Sequence, residues 1–193
     1  GSDRKLNVWR SDGSLLFRKN FDDYTESTAA IYDIDKDGKD EIIIGTGSGI
    51  GGNQYPVRPG IFVFRHNGQL LDGWPRYLAN GLVVDDSSPA IGDINADGNP
   101  EIVVGVHTYN NHSNGRIKAF FSNGNLYWEK TIYKPESPAL ADINDDGKLE
   151  IFITSGFFRP YNQGEAWIHG FKYDGTILSG WPILLEGGVD NSG

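Results

Sequence analysis

The feature that most constrains this chain is an acidic nonapeptide that occurs three times. It reads Asp33-Ile-Asp-Lys-Asp-Gly-Lys-Asp-Glu41, Asp93-Ile-Asn-Ala-Asp-Gly-Asn-Pro-Glu101 and Asp142-Ile-Asn-Asp-Asp-Gly-Lys-Leu-Glu150. Oxygen-bearing side chains stand at positions 1, 3, 5 and 9, Gly at position 6 and Ile at position 2. Small and aliphatic residues lead in: Ala29-Ala30-Ile31, Pro89-Ala90-Ile91 and Pro138-Ala139-Leu140. β-rich runs lead out: Ile42-Ile43-Ile44, Ile102-Val103-Val104 and Ile151-Phe152-Ile153. Short continuous apolar runs of this kind read as strands buried on both faces.

A second unit alternates with the first. It centres on Asp12-Gly13, Asn67-Gly68, Asn123-Gly124 and Asp174-Gly175, which predict hairpins with two-residue loops whose residues take positive φ. An aromatic stands four residues before each Gly (Trp9, Phe64, Phe120, Phe171) and an aliphatic seven before (Leu6, Ile61, Ile117, Ile168). An apolar residue stands three after (Leu16, Leu71, Tyr127, Leu178). If the acidic hairpin is A–B and the Asx-Gly hairpin C–D, the chain reads C–D and then A–B–C–D three times. Gly38, Gly98 and Gly147 set the period. Four antiparallel strands at such a period form a propeller blade.

The expected fold is therefore all-β: β-propeller blades of four antiparallel strands, about three and a half in this chain, forming a partial or open propeller. The expected boundaries are a C–D half blade over 3–28, blade 1 over 29–80, blade 2 over 81–134, blade 3 over 135–185, and the start of a truncated next blade over 186–193. Unpaired blade edges invite self-association. The leading Gly1-Ser2 reads as a remnant placed ahead of the native sequence.

Calcium takes 6–8 oxygen ligands, and the loop spacing supplies them. The first loop offers Asp33, Asp35, Asp37, the Lys39 backbone carbonyl and Glu41. The second offers Asp93, Asn95, Asp97, the Asn99 carbonyl and Glu101. The third offers Asp142, Asn144, Asp146, the Lys148 carbonyl and Glu150. An EF-hand needs its closing acid at position 12, which here is Ile44, Val104 and Ile153. The expected cofactor is Ca²⁺ at three sites with a structural role. The first loop carries the most carboxylates and should bind tightest. Ile at position 2 should point inward and anchor each loop.

The formal net charge is -9. With no basic patch, nucleic acid is a poor partner. No apolar run reaches the length of a membrane span. Cys is absent, which removes disulfides and thiolate metal sites.

The Asp-x-Asx-x-Asp-Gly-x-x-Glu loop between buried strands, at blade period, resembles the FG-GAP/VCBS repeat family. The resemblance covers residues 3 to about 185. It implies a calcium-binding propeller like the heads of integrin α subunits. The Phe-Gly and Gly-Ala-Pro tags are replaced, by Ser88-Pro89-Ala90 and Ser137-Pro138-Ala139 in two repeats. The Gly73-Trp74-Pro75 and Gly180-Trp181-Pro182 ends are similar to bacterial secreted versions. The resemblance implies an extracellular or cell-surface setting.

Strand order puts the acidic loops and C–D turns at one end of each blade, and the B–C and D–A connections at the other. The B–C loops are long and rich in aromatic and amide groups. Their ligand-face candidates are Tyr55, Arg58, His107, Tyr109, His112, Phe158, Arg159 and Tyr161. Trp74 and Trp181 read as core, and His66 and His169 as structural residues of C strands. No converging acid, base and nucleophile is evident, and Gly-x-Ser-x-Gly and His-Glu-x-x-His are absent. The preferred reading is a calcium-stabilised extracellular module for binding or adhesion, recognising protein or glycan through the B–C and D–A loops. The alternative is a piece of a secreted carbohydrate-active enzyme, of the polysaccharide lyase kind, or a scaffold domain of a secreted protease. For the enzyme, Asp22, Asp23, Asp85 and Asp86 in the D–A loops are the available acids.

Overall fold

Runs such as Ile42-Ile43-Ile44 stay out of water only if apolar layers cover both faces of the strand, because successive side chains point to opposite sides. The computed structural model shows how this is met. It describes residues 4–47, 58–79, 81–84, 87–108, 114–156 and 166–185. Every regular element among them is a β-strand, so none is a helix that could cross a membrane.

The N-terminal hairpin pairs β1 (Lys5–Trp9) with β2 (Leu15–Asn20). Blade 1 has the order β3 (Ala30–Tyr32), β4 (Glu41–Gly45), β5 (Gly60–Phe64), β6 (Arg76–Tyr77). In blade 2, β7 (Leu82–Val83) and β8 (Ala90–Gly92) both pair with β9 (Glu101–Thr108), followed by β10 (Arg116–Phe121) and β11 (Leu126–Thr131). Blade 3 has the order β12 (Pro135–Ala141), β13 (Glu150–Gly156), β14 (Ala166–Phe171), β15 (Ile183–Leu185). All pairings are antiparallel. Among the described residues the architecture is a half blade and three blades, with no closed barrel.

The core lies between successive sheets. Ile42, Ile44 and Phe64 of blade 1 pack on Leu6 of the hairpin. Ile43, Ile61 and Val63 point the other way and pack on Ile102, Val104 and Phe120 of blade 2. Val103, Ile117 and Ala119 of blade 2 then meet Ile151, Ile153 and Phe171 of blade 3. Each B strand thus divides its apolar residues between two interfaces. Each fully buried aliphatic side chain contributes roughly 1.5–3 kcal/mol. The aromatic four residues before the glycine faces the preceding sheet at Phe64, Phe120 and Phe171, which are buried there, whereas Trp9, which has no preceding sheet among the described residues, is 57% exposed.

The Asx-Gly turns differ from the expected two-residue form. Each closes a three-residue loop. Arg10 N donates to Ser14 O at 2.8 Å and Gly13 N to Arg10 O at 3.0 Å, and the other three turns repeat the pattern. Only the glycine has positive φ, 83° at Gly13. The Asx carboxylate or amide oxygen accepts the N–H two residues on, from Ser14, Gln69, Asn125 and Thr176 at 2.8–2.9 Å. That side-chain bond holds the Asx residue in ordinary backbone and leaves the glycine to make the bulge.

Candidate metal centres

Each acidic loop joins strand A to strand B and is folded by its own side chains. The carboxylate of the Asp at position 1 accepts from the Gly N–H at position 6, at 3.1, 2.7 and 2.8 Å in the three loops. The Asp at position 5 accepts from the N–H at position 7, at 2.9, 2.7 and 2.9 Å. Glu41, Glu101 and Glu150 reach back under the loop to the N–H of the position-2 Ile at 3.0, 3.1 and 3.0 Å. Gly38, Gly98 and Gly147 take φ of 85°, 87° and 82°. Position 4 is also left-handed: Lys36 at 60°, Ala96 at 61° and Asp145 at 59°. An L-residue there costs about 1–2 kcal/mol, which the surrounding hydrogen bonds offset. This second kink was invisible in the sequence, because Lys, Ala and Asp share no property that announces it.

The first loop brings ligand atoms of Asp33, Asp35 and Asp37 within 4.8 Å of one another. Glu41, at the end of the loop, is buried at 0% exposure. Asp33 Oδ1 and Glu41 Oε1 are buried and have no hydrogen-bond partner. A buried carboxylate oxygen left unpaired is costly, and adding hydrogen-bond acceptors cannot relieve it. A divalent cation coordinated by oxygen can.

Loops 2 and 3 show what changes when position 3 is an amide. Asn95 Nδ2 donates to Glu101 Oε1 at 3.3 Å and to Asp97 Oδ2 at 3.1 Å. Asn144 Nδ2 donates to Glu150 Oε1 at 2.9 Å. The amide N–H thus covers the glutamate Oε1 that is bare in loop 1, and the position-1 Oδ1 accepts instead from the backbone N–H of position 5, Asp97 at 3.0 Å and Asp146 at 3.2 Å. Burial raises the pKa of Glu41, and the neighbouring Asp35 and Asp37 charges add to the rise. Burial pushes Glu101 up to about 7, helped by Asp97 and Asp93. Loop 1 thus gathers its Asp carboxylates at positions 1, 3 and 5, whereas in loops 2 and 3 the amide at position 3 turns its N–H toward the closing glutamate. Lys39, Asn99 and Lys148 sit beside them through their backbone N–H bonds to position 5.

The loops also touch other elements. Arg65 of the β5–β6 turn forms an ion pair with Asp35, and Lys36 Nζ donates to Asn99 Oδ1 of the next loop at 2.8 Å. The acidic loops of blades 1 and 2 and the C–D turn of blade 1 thus share one rim, through contacts that residue spacing does not announce.

Other candidates fall elsewhere. Ile34 and Ile94 are buried as expected, but Ile143 is 58% exposed. The first two pack into the interface with the following blade, and Ile143 has no following blade among the described residues. His107 lies in β9 with 0% exposure, so its ring is enclosed and not offered at the surface. Arg58 is exposed and stacks on Tyr77 at 5.5 Å. Tyr55, Tyr109, His112, Phe158, Arg159 and Tyr161 lie outside the described residues, as do Asp85 and Asp86. Asp23 is buried, with Oδ1 accepting from Tyr24 N at 2.8 Å. His66 is exposed in the turn after β5, not in a C strand, whereas His169 is in β14 with Nε2 2.7 Å from Ser155 Oγ.

Residues 33–104 match the family model of the FG-GAP-like repeat. Among solved structures, the biofilm matrix protein Bap1 of V. cholerae aligns with 89% of this chain and 31% of its own, at 21% identity and a TM-score of 0.40. The chain therefore spans about a third of that protein's length. No curated protein matches. The matched stretch 33–104 opens on the first acidic loop and ends in the strand that leaves the second.

Proposed function

We propose that this chain is a calcium-stabilised segment of an extracellular module for binding or adhesion. The observation that carries the reading is the pair of buried, unpartnered oxygens on Asp33 and Glu41, set beside the Asp35 and Asp37 carboxylates. Calcium suits such a site because it takes many oxygen ligands with flexible geometry, while Mg²⁺ prefers to keep its waters. Asp33, Asp35, Asp37 and Glu41 would hold the ion in the first loop, with the Lys39 carbonyl. Asp93, Asn95, Asp97 and Glu101, and Asp142, Asn144, Asp146 and Glu150, would serve in the others, with the Asn99 and Lys148 carbonyls. The bound ion supplies positive charge that offsets repulsion among the acids and ties strand A to strand B.

The role is structural. At a free concentration ten times Kd, each site adds roughly 1.4 kcal/mol to stability. The extracellular setting follows from the repeat type, since millimolar calcium saturates weak loops. Recognition of protein or glycan is assigned to the B–C and D–A connections at the rim opposite the acidic loops. Thermal unfolding with calcium and with excess chelator tests the metal reading. The melting temperature should fall on chelation, and Asp37→Ala should remove part of that fall. An unchanged melting curve would refute it. A glycan and protein array probed with calcium present tests recognition, and binding to nothing on either array would count against the adhesion role.

A further inference from the structure

We propose that the cleft between the outer strands of blades 1 and 2 is a binding site for a carboxylate-bearing sugar. The site rests on the recognition role given above and supplies it with a ligand class.

The cleft encloses a cavity of about 380 Å³, and all of its lining residues are among those described. That volume is in the range of small-molecule sites. Its apolar part is the edge of the core between blades 1 and 2, from Leu78, Leu82 and Phe120. Cations enter from both sides. Arg76 comes from β6, and Arg116 and Lys118 come from β10. Glu129 of β11 is the single carboxylate in the lining. Three cations against one acid give the cleft a formal charge of +2 in a chain of net charge -9.

The cations are only partly served from within. Glu129 forms an ion pair with Lys118, and its Oε1 stands 4.0 Å from Arg116 Nε. Arg116 Nη1 donates to Thr131 Oγ1 at 2.8 Å. Arg76 has less. Its Nη2 reaches only neutral acceptors, Asn123 O at 3.3 Å and Asn125 Oδ1 at 3.4 Å, and its Nε is buried with no partner. A buried guanidinium N–H without an acceptor is costly, and a ligand carboxylate satisfies it with a charge-assisted bond.

Blade packing does not call for these cations. Lys118 stands opposite Val104, as Phe62 stands opposite Ile44 and His169 opposite Ile153. In the other two clefts the position is filled by a ring: Phe62 meets Phe21 edge-on at 5.0 Å, and His169 stacks on Phe171 at 6.1 Å. Two residues earlier, Arg116 replaces Gly60 and Trp167. Only this cleft carries a cation at both positions.

A sugar acid matches the mixture. Its carboxylate takes the forked N–H groups of the two arginines. The C–H face of its ring lies on the apolar residues, and the Asn125 amide meets its hydroxyls. A protein partner would instead need about 800 Å² of surface on each side.

Isothermal titration of the 193-residue chain with trigalacturonic acid, with calcium present, tests this. Binding should weaken as salt is raised. Arg76→Gln and Arg116→Gln should each weaken it about tenfold. Glu129→Gln removes the competing acid and should tighten it about threefold, a gain that a damaged fold does not produce. Equal binding of the methyl ester would overturn the proposal, because the ester has no charge for the cations to meet. Tighter binding of a sulfated trisaccharide or of hexaglutamate would overturn the assignment to a sugar carboxylate. Full affinity in both arginine variants, or no heat with trigalacturonate while other glycans bind on the array, would overturn this site and leave glycan recognition standing. An array with no bound glycan would overturn both.

Discussion

Replacing Ile94 and Ile143 separately by alanine compares one side chain at one loop position in two surroundings. Both residues use the backbone N–H to hold the closing glutamate, and alanine keeps that bond. Ile94 is 0% exposed between blades 2 and 3, and Ile143 is 58% exposed. Ile→Ala removes about three methylene equivalents, worth about 2.4 kcal/mol at ~0.8 kcal/mol each. At Ile94 an incompletely collapsed cavity adds to this, so the loss should fall at about 2–5 kcal/mol. At Ile143 the transfer term scales with the smaller buried fraction, to about 1 kcal/mol, and no cavity forms. Urea unfolding in saturating calcium, at a concentration where the chain is monomeric, should show a midpoint shift for Ile94→Ala at least twice that for Ile143→Ala, with m unchanged. Equal shifts would refute the idea that position 2 anchors the loop through the following blade.

Three further outcomes follow from the geometry. Asn95→Asp and Asn144→Asp replace an N–H that faces the acids with a fourth carboxylate, so each should raise calcium affinity by about tenfold in chelator competition while destabilising the calcium-free chain. Gly73→Ala, with its Cβ against Asn123 O, should cost about 3 kcal/mol or more by urea unfolding. Gly180→Ala, with similar φ and open space, should show only the strain of about 1–2 kcal/mol. Burial lowers the His169 pKa, so the unfolded chain binds that proton more readily. Its contribution is full above the unfolded pKa and is lost as pH falls below about 6.5 toward the folded value, with a slope of at most about 1.4 kcal/mol per pH unit. His169→Gln should flatten that part of the pH–stability curve relative to the wild type.

Much of the blade was legible because two periods coincide. Strand alternation fixed which of Ile42, Ile43 and Ile44 faces which neighbour, and the repeat fixed that a neighbour exists. The acidic loops were legible because their side chains fold their own backbone. What could not be read depended on non-local facts. Ile34, Ile94 and Ile143 hold the same loop position, and among the described residues only the first two have a following sheet to pack on. The turn length at Asp12-Gly13 was missed because the carboxylate accepts from Ser14 and removes the need for a second positive φ. His107 looks like a loop residue by composition, yet β9 runs to Thr108 and encloses it. The Asn95 and Asn144 amide bonds to glutamate need orientation, which spacing alone does not give.

The most direct test of the account is calcium stoichiometry by equilibrium dialysis of the purified chain. Three bound ions per chain are expected. Asp37→Ala, Asp97→Ala and Asp146→Ala should each lower the count by one while the other two sites still fill. Uptake of no calcium at millimolar free ion would contradict it, because the bare oxygens of Asp33 and Glu41 would then have to be met by something other than the cation.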